Sequence, residues 1–177
     1  MILETERLSL RPWEEADAEE LYRLASDPDI GPRAGWPVHS SVENSRETIQ
    51  KVLTAPETYA MVLRESGKPV GSIGLKQPQE RFENLQGLQM EIGYWIGREF
   101  WGRGLMPEAV AEILRRGFED LGCAVIWCGH YDFNGQSRRV IEKSGFVHQR
   151  TVNTTNLLGN THPTLCYAMT REQWEKK

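Results

Sequence analysis

The segment EIGYWIGREFWGRGLMPEA, residues 91–109, limits what this chain can fold into more than any other. In the stretch LQMEIGYWIG, Met90, Ile92, Tyr94 and Ile96 point to one side of an extended strand, while Glu91, Gly93 and Trp95 point to the other. An amphipathic helix comes next, because Leu105, Ala109 and Ile113, together with Val110, Leu114 and Phe118, recur at i, i+4 spacing up to Leu121. Pro107 fits the first turn of that helix, and Gly122 is placed to end it. Between strand and helix, Gly102 and Gly104 flank Arg103. Such a turn gathers N–H groups that have no helical partner, and its glycines remove the side chains that would keep an anion away. A pyrophosphate fits there; taken alone, the stretch is equally compatible with a glycine-rich turn that holds no ligand.

Two familiar phosphate loops are excluded. Gly97-x-x-x-x-Gly102-Arg103-Gly104 has the P-loop spacing, but arginine replaces the lysine and glycine replaces the hydroxyl that would hold Mg²⁺. The dinucleotide fingerprint fails because Pro107 stands where its third glycine belongs, and no acidic residue ends the next strand.

The remaining chain alternates strand and helix patterns. ERLSLRPW reads as a strand, and EEADAEELYRLA as a helix with Leu21, Leu24 and Ala25 on one face. SDPDIGPRAGWPVHS is dense in Pro and Gly and predicts an irregular loop, after which Ser40 and Glu43 make a capping-box pattern for a helix through ENSRETIQKVL. TYAMVLRESGKPVGSIGLKQ predicts a hairpin turning at Glu65 to Pro69. AVIWCGHY is a strand, NGQSRRVIEKSG a short helix closed by Gly145, and FVHQRTV and TLCYAMT are two further strands. Strands and helices are mixed and the hairpins preclude a purely parallel sheet, so the fold class is α+β.

The 177 residues suffice for one sizeable core, and residues 1–177 are expected to form a single domain. No apolar run approaches the roughly 18 residues of a membrane span, and the start lacks the pattern of a signal peptide. Cys123, Cys128 and Cys166 form no CxxC and leave an odd thiol, which suits a reducing compartment; a cytoplasmic protein is expected. Cys128 and His130 could share a strand face, but a buried thiol explains Cys128 better than half a metal site, and no metal is expected. A net charge of -4 argues against general binding to nucleic acid, which needs clustered Lys and Arg.

The segments LETERLSLRPW, EIGYWIGREFWGRGLMPEA, NGQSRRVIEKSGF and YAMTREQW, in this order and spacing, resemble the GNAT superfamily of acetyl-CoA-dependent N-acetyltransferases, and within it the Rim-type branch that includes ribosomal-protein N-terminal acetyltransferases. The resemblance implies a mixed, mostly antiparallel central sheet flanked by helices and splayed between the strands at 88–97 and 124–130. The pantetheine arm of acetyl-CoA would lie in that splay. The implied cofactor residues are Trp95, Ile96, Phe100, Trp101, Gly102, Arg103, Gly104, Leu105, Asn134 and Ser137. The chain departs from the superfamily pattern in two places. Glu99 occupies a position commonly held by Arg or Gln, so it should face solvent and leave Arg103 as the cation for the phosphates. Ile141 stands where many members carry a tyrosine that protonates the leaving thiolate.

Acetyl transfer needs an uncharged amine, a donor for the tetrahedral oxyanion and a means for the thiolate to leave. Glu91, on the polar side of its strand, is the candidate base through a water; an ordinary solvent-facing carboxylate is the alternative. Ser137 is the candidate acid or hydrogen-bond donor to the thiolate by the Rim-type resemblance, and Asn134 the contact to the pantetheine arm and equally a good helix N-cap. His130 and Tyr131, just past the end of their strand, and Trp36 and His39, in the Pro/Gly-rich loop, are acceptor-side candidates. The expected activity is direct acetyl transfer to a primary amine, foremost a peptide N-terminal α-amine, by a monomer or homodimer. A small-molecule amine acetyltransferase and a non-catalytic CoA-binding module are the alternatives.

Overall fold

The computed structural model describes residues 1–177. The strands are β1 (Leu3–Glu4), β2 (Leu8–Arg11), β3 (Thr58–Leu63), β4 (Lys68–Lys76), β5 (Gln89–Ile96), β6 (Val125–Tyr131), β7 (Val147–Thr155) and β8 (Thr161–Thr170). The helices are α1 (Ala18–Ala25), α2 (Gly31–Ala34), α3 (Val42–Thr48), α4 (Leu105–Arg115), α5 (Gly135–Lys143) and α6 (Arg171–Glu175). All eight strands form one sheet in the order β1-β2-β3-β4-β5-β6-β8-β7. Every neighbouring pair is antiparallel except β5 with β6.

That exception creates the site. The two parallel strands are paired only at Gln89 with Val125, Met90 with Ile126 and Glu91 with Trp127. Beyond Glu91 they separate: residues 92–96 continue along β4, and residues 128–131 continue along β8. Backbone N–H and C=O groups on the facing edges are thereby left without strand partners, and such groups need acceptors and donors from elsewhere. The expected α+β class, mixed sheet and splay between these two strands are all present.

Apolar cores cover both faces of the sheet. On one face of the sheet, Met61, Ile73, Leu75 and Ile92 pack with Leu105, Ala109, Val110 and Ile113 of α4 in the largest core cluster. On the other face, Ala60 and Val62 pack with Leu21 and Ala25 of α1 and with Ile49, just past α3. β3 is therefore buried on both sides, which explains its near-continuous apolar run.

Several local expectations need correction. The Pro/Gly-rich loop contains one helical turn, α2, which starts at Gly31–Pro32 and stops at Gly35 in the left-handed region. The N-cap of α3 is Ser41, not Ser40: its backbone is extended and its side chain accepts from the Asn44 N–H, while Asn44 Oδ1 accepts from the Ser40 N–H. The hairpin turn occupies residues 64–67, so Pro69 lies inside β4, where its partner is Val62 beside a register shift. The chain also forms α6, capped reciprocally by Thr170 and Gln173, which sequence patterning did not single out as a helix.

Candidate functional site

The glycine turn leads from β5 into α4, with Gly102 at φ 73° and Gly104 at φ 75°. An added Cβ at Gly102 would meet nothing within 4 Å, and at Gly104 only the Arg7 guanidinium at 3.5 Å. The glycines are thus required by backbone conformation and by open access to the turn, not by internal crowding. No turn or loop backbone bond uses the N–H groups of residues 102–104, and Gly104 caps α4 without a side chain. From behind, Arg7 donates to the Arg103 carbonyl at 2.8 Å and pairs with Glu108 at 2.7 Å, and Thr5 Oγ1 donates to Glu108 at 2.6 Å. The LETER segment thereby buttresses the turn.

In front of the turn lies a cleft of about 540 Å³, lined by Trp95, Ile96, Phe100, Trp101, Gly102, Gly104, Leu105, Asn134 and Ser137 among others. Of the expected cofactor residues, Arg103 alone is not in this lining; it is exposed and lies over the Phe100 ring at 5.6 Å. The cleft's cationic lining comes instead from Arg33, Arg139 and Lys143. Sequence reading missed these three, although Gln136, Arg139 and Lys143 recur at i, i+3, i+7 on α5 and so mark one polar face. Glu99 is exposed and paired with Arg23. Bare N–H groups, a helix start, three cations and a long partly apolar trough fit a pyrophosphate carrying an extended thiol arm.

A second cavity of about 410 Å³ opens on the other side of the splay. Trp36, Glu91, His130 and Tyr131 line it; His39 does not, because it lies behind Trp36 with its Nδ1 2.8 Å from Ser45 Oγ. The tip of the β7–β8 hairpin closes one wall, where the Leu157 N–H donates to the Gly35 carbonyl at 3.0 Å. The two cavities share Arg33, Ala34, Tyr94, Trp95, Asn134 and Ser137, so the cleft and the cavity communicate at the start of α5.

Each polar group at this junction is already placed. Asn134 caps α5 by accepting from the Ser137 N–H at 3.2 Å, and its amide donates to the Arg33 carbonyl at 3.2 Å. Ser137 Oγ lies 3.1 Å from the Tyr94 hydroxyl, a contact that alternation along β5 hid by assigning Tyr94 to the apolar face. Burial, with Cys128 beside it, pushes the Tyr94 phenol well above its ordinary value. Glu91 is only 3% exposed, not a solvent-facing carboxylate. Its carboxylate contacts the Arg81 guanidinium, lies 3.7 Å from Lys76 Nζ and accepts from the Gln79 N–H at 3.3 Å. His130 is buried inside β6, with Nδ1 2.7 Å from the Tyr131 carbonyl and Nε2 3.2 Å from the Tyr167 hydroxyl; burial lowers its pKa.

The sequence profile of the acetyltransferase (GNAT) domain matches residues 7–147, well over half of the chain. The uncharacterized N-acetyltransferase p20 of Bacillus licheniformis is 31% identical over 124 residues, covering 67% of each chain. A Bacillus subtilis protein named as a candidate ribosomal N-acetyltransferase, YdaF, is 30% identical over 92 residues, 48% of this chain and 47% of its own. Among solved structures, a GNAT acetyltransferase from Bacillus anthracis superposes with a TM-score of 0.83 at 23% identity, covering 97% of this chain and 99% of that one. The ribosomal-protein-S5-alanine acetyltransferase of Vibrio fischeri superposes with a TM-score of 0.75 at 16% identity, covering 98% of each. With a splayed sheet, a bare glycine turn at its mouth and this match, the chain belongs to the GNAT family and is an N-acetyltransferase.

Proposed function

We propose that the protein transfers acetyl from acetyl-CoA directly to the α-amine of a peptide N-terminus. The observation that carries this reading is the engagement of Glu91, the one carboxylate in the acceptor cavity, by Arg81, Lys76 and the Gln79 N–H. Few of its lone pairs are left to take a proton, and both nitrogens of His130 are likewise occupied. A site so equipped favours an acceptor that is already partly neutral. At pH 7 about a tenth of an α-amine titrating near ~8 is free base, against fewer than ~1 in 1,000 for a lysine near ~10.4. The proton that the nitrogen loses on becoming an amide leaves through a water that Glu91 orients and goes on to the departing thiolate. Trp36 and Tyr131 position the first side chain. Catalysis then comes mainly from placement of the amine against the thioester and from donors aimed at developing charge, foremost Ser137 at the departing sulfur.

A small-molecule amine is the second reading, favoured by the modest size of the acceptor cavity. One screen separates the two: acetyl-CoA consumption over short peptides with free or blocked N-termini, alongside polyamines and aminoglycosides, with the modified atom located by mass spectrometry. Activity that vanishes when the N-terminus is blocked supports the α-amine. Activity confined to lysine side chains or small amines overturns it.

A further inference from the structure

The serine at the junction of the two cavities has a partner whose purpose packing does not explain. The Tyr94 ring packs against the main core, yet its hydroxyl reaches out of β5 to the first turn of α5, 3.1 Å from Ser137 Oγ and 3.3 Å from the Ser137 carbonyl. Both residues line the cofactor cleft and the acceptor cavity alike. The Ser137 backbone is already held through the Asn134 cap, so the phenol is not needed to place the main chain. What remains unfixed in a serine is the direction of its single hydroxyl hydrogen, which rotates to suit its partners.

We propose that Tyr94 is a positioning residue that aims the Ser137 hydroxyl at the leaving sulfur of the thioester. The proposal rests on the reading that Ser137 faces that sulfur. Two hydrogen-bond arrangements are open to the pair. In one, the phenol donates to the Ser137 carbonyl and accepts from Oγ, which spends the serine hydrogen internally. In the other, the phenol donates to Oγ, and the serine hydrogen must find an acceptor in the cleft. Negative charge growing on sulfur selects the second, so the bond strengthens as the carbon–sulfur bond breaks. The electron pair of that bond stays on sulfur, and neither hydroxyl surrenders its proton. The proton that completes the free thiol derives from the amine nitrogen, which loses one on becoming an amide. Burial keeps the phenol neutral, and therefore a donor, across the working pH range.

The test needs no acceptor. If the pair donates to sulfur, it lowers the pKa of the bound CoA thiol, and CoA must bind more tightly as pH rises through the range where free thiols ionise, near ~8.5. Desulfo-CoA, which lacks the sulfur, is the control for every other ionisable group facing the sites: Cys128, Glu91, His130, Tyr131, Tyr167, Asp29, Lys76, Lys143, Arg33, Arg81 and Arg139. Calorimetric affinities of both ligands from pH 6.5 to 9.5 should show a rise of about tenfold for CoA relative to desulfo-CoA, the equivalent of about one pKa unit. Tyr94→Phe, which keeps the buried ring, should cut that rise to about threefold or less while leaving desulfo-CoA affinity within about threefold. Ser137→Ala should abolish the rise, and the double variant should match Ser137→Ala alone.

An undiminished rise in Tyr94→Phe overturns the proposal while leaving Ser137 in its role. Loss of desulfo-CoA binding in Tyr94→Phe also overturns it, making Tyr94 a residue of the binding site or the core. A wild-type protein with no rise at all removes Ser137 from the sulfur and takes the proposal with it.

Discussion

On the reading proposed above, the two sides of the splay recognise their ligands by opposite means. The cofactor side is centred on a continuous piece of backbone, in which a strand end, a bare turn and a helix start succeed one another over residues 96–105, with cations added from α2 and α5. The acceptor side is a collection of side chains: Trp36 after α2, Lys76 at the end of β4, Arg81 in the loop beyond it, Glu91 on β5, and His130 and Tyr131 on β6. A ligand that never changes can be held by main-chain N–H groups, whose placement is written in a short run of sequence. A ligand that distinguishes one enzyme from its relatives is read by side chains that only the completed sheet brings together.

This contrast predicts that acceptor-side and cofactor-side substitutions fail differently. The largest effect should come from Glu91→Ala, which leaves the partly buried Arg81 guanidinium without its carboxylate; unfolding by urea should show a loss of about 3 kcal/mol, the low end for a broken buried pair. A loss below about 1 kcal/mol would mean that the pair behaves like an exposed one and that the two sides differ less than their geometry implies. Next comes Gly104→Val. It forces a β-branched residue to φ 75° and crowds the mouth of the cleft, so acetyl-CoA should bind about ten- to a hundredfold more weakly, or ~1–3 kcal/mol, with little change in acceptor preference. Unchanged affinity in the folded variant would defeat the phosphate-turn assignment. The smallest effect belongs to Arg7→Ala, whose side chain is 43% exposed. Its removal should weaken acetyl-CoA by about two- to fivefold, a figure set by screening of exposed pairs. Titration calorimetry would register it, and a shift in acceptor KM instead would blur the boundary between the two sides.

The same contrast explains how much of the molecule is legible in its sequence. The strand at residues 89–96, the glycine turn and the amphipathic helix after it are local patterns, and all three are present. The splay is legible only through resemblance, since no single strand records where its neighbour departs. Tyr94 is rightly placed on the apolar face, but alternation reports which way a ring points, not what lies at its far end: the ring packs on the core and the hydroxyl reaches Ser137. Glu91 reads as a lone polar residue because its cations, Lys76 and Arg81, arrive from the strand and loop before it. His39 shares a loop with Trp36 but not a direction, and Ser45 on α3 holds it away from both cavities. Ser40 reads as the cap by its spacing to Glu43, whereas the extended backbone at Ser41 and its acceptance from the Asn44 N–H make Ser41 the cap.

One contact behind the turn carries more than its modest energy suggests. A peptide unit is rigid and trans, so its carbonyl and the adjoining N–H point in opposite directions within one plane. Arg7 holds the Arg103 carbonyl, and the Gly104 N–H on the same plane must point the opposite way, at a residue that lines the cleft. The guanidinium acts as a set-screw, fixing from outside the angle of a donor it never touches. The angle of this ligand-facing dipole is therefore tuned by a residue almost a hundred positions earlier in the chain, so substitutions near the start of the sequence can act on cofactor recognition without altering any atom of the cleft's lining.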